Sequence, residues 1–421
     1  MTFLCLTEVR KDRPPRSIRF RILTGLVIAL VFQPNSARAE NTPTRYEQDL
    51  AAFLKEMDTT YPFFDLKGIR ADWESAKPKL LEQVKACKTD ADFLAVICKA
   101  IDCLRDAHMG ISDTKVKLPP SPPEYYPGVS FLPAMQGRVV VMDARKELAG
   151  VLKPGTVVLD IDGKDARKLL DENSQLARAA GGNFSSPQRA GLFEYRIPLR
   201  GKKGEKHTLT IVAGTGKKTV SITSDMEASG WPHTYNLPQN LKTHSKTCQY
   251  AKLPSGAGYI YLRYIDGDTE PGIAAALTAL PDAKGWIVDL CGNGGGGYDD
   301  ALLKSIETIP KPVAVVIDAG CISAGETLAR DLKKLTGARL FGSATAGASS
   351  AKRQWTFPSG IATITMATRS RFGPDGKPIE FNGIHPDEEV QVVPEEVQKG
   401  QNSALLRAQE YIAKMLKPSA Q

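Results

Sequence analysis

The sequence predicts an α/β protein with a parallel βα core in its last part, preceded by a helical segment and a β-rich segment. Three observations carry this. From Gly258 onward, short apolar runs alternate with helix-length stretches. Residues 42–106 place apolar side chains at helical spacing. From about Gly128 the texture changes to short strands between Gly and Pro turns. At 421 residues the chain exceeds what one core ordinarily serves. The expected division is a leader at 1–39, a helical domain at 40–120, a β-rich domain at 121–230 and the core with a C-terminal helix at 231–421.

The leader comes first. A basic stretch ends at Arg21, an apolar run covers Ile22–Phe32, and Ala37-Arg38-Ala39 closes it. The apolar run is shorter than the ~20 residues of a membrane-spanning helix. Small residues at 37 and 39 suit an A-x-A cleavage site, so a signal peptide removed after Ala39 is expected. The mature chain is then periplasmic or secreted, with no stable membrane span. The charge supports this reading. Residues 1–39 hold seven cationic side chains against Glu8 and Asp12, a net +5 of the chain's +8, which leaves only +3 for the remainder. The basic balance belongs to the leader, and nucleic acid is not expected as a partner.

Six cysteines follow the leader: Cys87, Cys98, Cys103, Cys248, Cys291 and Cys321. Their irregular spacing supports neither a zinc site nor a redox dithiol. In an oxidising compartment, a bridge from Cys87 to Cys98 or Cys103 is one pairing open to the chain.

In the helical segment, Tyr46, Leu50, Phe53, Leu54 and Met57 form one apolar face. Phe93, Leu94, Ile97, Ile101 and Leu104 form a second, with Asp90 as the expected N-cap. That helix delivers Asp106-Ala107-His108, and the Pro-rich run at 118–123 then breaks structure. Strands are expected at Arg138–Met142, Thr208–Val212 and Thr219–Ile222, with a turn–strand–turn at Val151–Gly163. The Pro154-Gly155-Thr156 run leading to Ile161-Asp162-Gly163 resembles part of a PDZ-like domain. Such domains take extended peptides onto a sheet edge.

In the core, strands are expected at Tyr259–Tyr264, Trp286–Leu290, Val313–Asp318 and Ala338–Phe341. Helices at Ile273–Leu280, Asp299–Ile309 and Gly325–Leu335 lie between them, which implies a parallel sheet covered on both faces. A hairpin, Gln354–Phe357 with Ile361–Ala367, follows it.

Ligands of open α/β sheets bind beyond the carboxyl ends of the strands. Two loops hold that position, Asp289–Gly297 and Ala319–Glu326. The second sets Ser323 at a strand-to-helix turn, beside the free N–H groups of a helix start. Glycines in the first let backbone donors approach an oxyanion. By itself a serine opening a helix is usually only its cap. The glycine run also lacks the ending of a phosphate loop and the spacing of a dinucleotide fingerprint.

Four ordered motifs give the loops a context. They are "CLRDAHMGIS", "IVDLCGNGGGG", "CISAGETLARDLKKLTGARLFGSATAGA" and "DGKPIEFNGIHPDEEV". With the order helical segment, PDZ-like segment and core, the chain resembles the C-terminal-processing and tricorn-core serine peptidases. The resemblance implies a crotonase-like layered core, acyl transfer to a peptide or unfolded protein substrate, and no cofactor or metal.

It puts the nucleophile on Ser323 and the oxyanion hole on the N–H groups of Ala324 and a glycine of the 294–296 run, Gly295 first. In the processing branch the base is a lysine 25 residues after the serine, where this chain has Ala348, with Lys352 four further on. The tricorn-like branch uses instead a histidine and a glutamate that fall on His108 and Glu380. The chemistry is coherent, since histidine can take a serine proton near neutral pH while a carboxylate orients it. His385 is a rival base, and Cys291 and Cys321 flank the site as structural thiols. A peptide-binding protein on an inactive scaffold and a hydrolase of non-peptide esters are the alternatives.

Overall fold

The computed structural model describes residues 43–118, 123–228, 236–297 and 299–417. The expected leader with its cleavage point lies outside the described residues, as does the 230/231 boundary. Among the described residues no helix is long and apolar enough to cross a membrane.

The core is a seven-stranded sheet of strands Lys242–Thr243, Cys248–Lys252, Gly258–Leu262, Trp286–Asp289, Val313–Ile317, Arg339–Gly342 and Glu388–Glu389, in that spatial order. The first three pair antiparallel and the rest parallel. Each parallel strand is laid beside the previous one, and right-handed crossovers then put every connecting helix on the same face. Helices Thr269–Ala279, Asp300–Glu307 and Ala324–Thr336 accordingly share one apolar core with Ile260, Val288 and Val315. The C-terminal helix Ser403–Met415 covers the other face, where Ala408 and Ile412 meet Tyr259, Ile287 and Phe341. Covered on both sides, the strands Gly258–Leu262, Trp286–Asp289 and Val313–Ile317 are buried at every position. That is why they read as unbroken apolar runs.

The β-rich segment is built on strands Val129–Pro133, Val139–Ala144, Val157–Ile161, Glu205–Ala213 and Gly216–Ser224. Two helices absent from the sequence reading join it, Ala166–Ala180 and Pro187–Arg196. Their signals were present. Asp165 caps the first and Gly181 ends it, while Ser186 caps the second with Pro187 at its first turn.

The helical segment contains Arg45–Thr60, Phe64–Lys67, Arg70–Lys85 and Asp90–Asp102, the last capped by Thr89 and not by Asp90. The hairpin Ser350–Thr356 with Ala362–Ser370 leaves the core sheet and pairs with the strand Gly110–Thr114. It packs Phe357, Ile364 and Met366 against Phe53, Trp73 and Phe93. Helical segment and late hairpin therefore share one core, and the strand beginning two residues after His108 is anchored by chain from the far end of the sequence. No bridge joins Cys87 to Cys98 or Cys103, because all six described cysteines are free thiols. Cys87 and Cys103 turn their thiols onto carbonyls of their own helices, at Gln83 and Lys99.

Candidate active site

The strand Val313–Ile317 ends at Asp318, whose Oδ1 accepts N–H groups from Gly292 and Gly320 at 2.8 and 2.9 Å. One carboxylate so ties the glycine-rich loop to the serine loop. Asn293 adds a second tie: its backbone carbonyl accepts the Ile322 N–H at 2.9 Å, and its Nδ2 donates to Leu262 O at 2.7 Å. Buried Asn293 leaves no room for a side chain at 325, where a Cβ would come within 2.6 Å of its Oδ1.

Between these ties the chain turns sharply at Ser323, with φ 60° and ψ −120°. A non-glycine residue there costs on the order of 1–3 kcal/mol, and such strain persists only where the surroundings impose it. Here they do. The Ser323 N–H lies 3.1 Å from both Ala348 O and Glu326 Oε2. Glu326 is buried and also accepts from Thr345 Oγ1, Gly347 N and Ala348 N. Burial pushes its carboxyl up to about 7, against those bonds.

Ser323 Oγ faces His108 Nε2 at 3.0 Å. The imidazole is held from its own backbone, since Asp106 Oδ1 accepts the His108 N–H at 2.8 Å. Burial, with Lys352 next, holds its pKa down to about 3 against the pull of Asp106. It is thus neutral near pH 7 and can accept a proton. Its buried Nδ1 has no hydrogen-bond partner among the described residues.

Glu380 is fully buried nearby, though not bonded to that nitrogen. A ring nitrogen of His108 and carboxylate oxygens of Asp106 and Glu380 all lie within 4.8 Å of one another. Metal sites use such a spacing, but here a side chain provides the cation. Lys67 Nζ is 3.0 Å from Asp106 Oδ2 and 2.7 Å from Glu380 Oε1. The donor set is already neutralised, so these residues do not fit a metal ion.

On the oxyanion side, the Ala324 N–H heads its helix and has no acceptor among the described residues. Gly295 lies against the serine, and a Cβ on it would fall 2.8 Å from Ser323 Cβ. Its N–H, however, is given to Asn293 Oδ1 at 2.9 Å. Of the remaining expectations, Ala348 is buried, Lys352 lies on the exposed strand Ser350–Thr356, and Cys291 and Cys321 are buried thiols with pKa values driven up by burial. His385 makes no hydrogen bond to the serine.

The motifs also missed residues. Lys67, Tyr61, Ser185 and Arg189 had no signal beyond ordinary surface-type composition. Ser185 Oγ accepts the Ala107 N–H at 3.0 Å, and Ser186 Oγ donates to Ala346 O at 2.6 Å, so a loop of the β-rich segment braces both sides of the site. A cavity of about 490 Å³ lies elsewhere, between the β-rich segment and the sheet, lined by Phe131, Leu192, Tyr195, Asp318 and Ala319 but not by Ser323 or His108.

Residues 303–390, which carry Ser323, Ala348 and Glu380, match the family model of peptidase family S41. The likeness to peptidase family S41 is carried by this part of the chain. That match supports a serine-type peptidase. No match to its sequence occurs among the curated proteins. Among solved structures it is similar to mature CPAF complexed with lactacystin, with TM-score 0.58 and 13% identity over 88% of this chain and 98% of that one. Mature CPAF alone gives 0.58 and 14% over 88% and 96%. The photosystem II D1 C-terminal processing protease gives 0.40 and 16% over 86% and 99%. At these identities the CPAF likeness is one of fold.

Proposed function

We propose that this chain is a serine peptidase that cleaves peptides or unfolded proteins outside the cytoplasm through a Ser323–His108 pair backed by Glu380, as in the tricorn-like branch. The observation that carries the reading is the 3.0 Å approach of His108 Nε2 to Ser323 Oγ, made at a strained serine between two strand-end loops. Ser323 Oγ attacks the scissile carbonyl while its proton passes to His108 Nε2. The Ala324 N–H, with an amide of the 294–296 run, receives the oxyanion. Gly295 can serve only by sharing its N–H with Asn293. His108 returns the proton to the leaving amine, and a water repeats the sequence on the acyl-enzyme. Glu380 stabilises the imidazolium formed in each step. No cofactor enters.

The strand-and-helix composition of residues 129–224 supports a PDZ-like role for the β-rich segment, and the layered sheet supports a crotonase-like core. The leader at 1–39 supports export. Mature CPAF has been solved with lactacystin, which makes that compound a probe for Ser323. The test is Ser323→Ala: hydrolysis of an unstructured peptide should vanish, along with labelling by an organophosphonate, while the fold is kept. Hydrolysis at the wild-type rate in that variant would refute the assignment.

A further inference from the structure

Lys67 ends the short helix Phe64–Lys67, and its side chain is wholly buried, as are those of Asp106 and Glu380. Its Nζ has four oxygen neighbours: Tyr61 Oη at 2.9 Å, Arg105 O at 2.9 Å, Asp106 Oδ2 at 3.0 Å and Glu380 Oε1 at 2.7 Å. The first three meet hydrogen-bond geometry and use the three protons of an ammonium. Glu380 is left as a close ion pair outside hydrogen-bond direction.

Burying an ammonium is expensive, and stability alone would be served as well by an apolar side chain of the same size. The cluster explains the cost. Asp106 and Glu380 are two carboxylates in one dry site, where without a cation one of them must keep a proton. Asp106 has the better donors, accepting from the His108 N–H and from Tyr61 Oη. The proton would therefore go to Glu380. Burial and Asp106 push Glu380 up to about 7 even beside Lys67, which is the main influence opposing them.

The other groups facing this cluster do not replace Lys67. Tyr61 is neutral, with its pKa raised by burial. Arg189 reaches Glu380 only through the field, while Ser185 is uncharged. Lys352 acts on His108.

We propose that Lys67 is a positioning residue for catalysis, holding Glu380 ionised beside His108 so that a carboxylate meets the imidazolium as it forms. This deepens the reading of Glu380 given above and rests on it. Lys67 touches neither Ser323 nor substrate in this scheme; it acts through Glu380.

The experiment compares wild-type mature enzyme with Lys67→Met, following kcat and KM for a fluorogenic unstructured peptide, and the rate of Ser323 phosphonylation, from pH 5 to 9. In Lys67→Met the acidic limb of kcat should move up by about one pH unit or more, an approximately tenfold loss on that limb, with KM little changed. Activity should recover toward alkaline pH, and Lys67→Arg should keep the wild-type limb. A folded Lys67→Met whose limb stays in place overturns the proposal. If Lys67→Met does not fold, Asp106→Asn decides: removing the competing carboxylate while Lys67 remains should move the limb to lower pH, and an unmoved limb overturns the proposal. Failure of wild-type Ser323 to label would instead refute the peptidase mechanism, which separates the two outcomes.

Discussion

His108 Nε2 and Ser323 Oγ stand 3.0 Å apart across 215 positions of sequence. Two pieces of architecture make the meeting. The strand starting at Gly110 is pinned by the late hairpin, and the turn at Ser323 is pinned by Glu326 and Ala348.

If His108 is the base, His108→Gln lowers kcat by about 10²–10⁴-fold, the span of general-base contributions. Lys352→Met leaves most of the activity. Peptide hydrolysis by the two purified variants checks this, and loss only in the Lys352 variant would favour a serine–lysine dyad.

By the resemblance to the processing branch, Ala348 stands where that branch's lysine is expected, and it is buried under the serine turn. Restoring a lysine there does not build a dyad. Ala348→Lys buries a charge with no partner provided for it and should cost about 3–5 kcal/mol. Denaturant unfolding measures the loss, and a variant as stable as wild type contradicts it.

Gly295 has φ +80°, and a Cβ would meet Ser323 Cβ at 2.8 Å. Gly295→Ala should therefore lose about 1 kcal/mol or more of stability, and kcat should fall more than KM rises. Steady-state kinetics beside thermal unfolding test both halves.

Glu326 gives a pH signature in stability. Its folded pKa, about 7, lies above the ordinary 4.5, so the protonated form favours the fold. Its contribution is fully present below about pH 4.5 and is lost as pH rises through 7. His108 has the opposite sign: its depressed value gives stability present above 6.5 and lost as pH falls toward 3. Relative to Glu326→Gln, the wild type should lose on the order of 3 kcal/mol between pH 4.5 and 7.5. Unfolding free energies at several pH values check this, and parallel curves would contradict it.

Much of the core was readable because its strands are buried on both faces and its helices are amphipathic, which leaves a local pattern in the chain. Ser323, His108 and Glu380 were named from motifs, and Ala348 showed the missing lysine. What composition could not reveal is which distant segments share a core. The hairpin expected at Gln354–Phe357 and Ile361–Ala367 follows the sheet in sequence, yet it packs on Phe53 and Trp73. The helices at 166–180 and 187–196 carry caps of their own, but strand signals surround them on both sides.

The sequence by itself determined the βα alternation of the core and the identities of the motif residues, and it carries the expectation of a leader at 1–39. All of these are written in neighbouring positions. Only the tertiary structure decided that Asn293 holds the Gly295 N–H, that Nδ1 of His108 has no bond among the described residues, and that Lys67 lies between Asp106 and Glu380. The reason is physical. A buried lysine and a surface lysine are the same letter, and what separates them is the field of groups brought together from positions 61, 67, 106 and 380 when the chain packs.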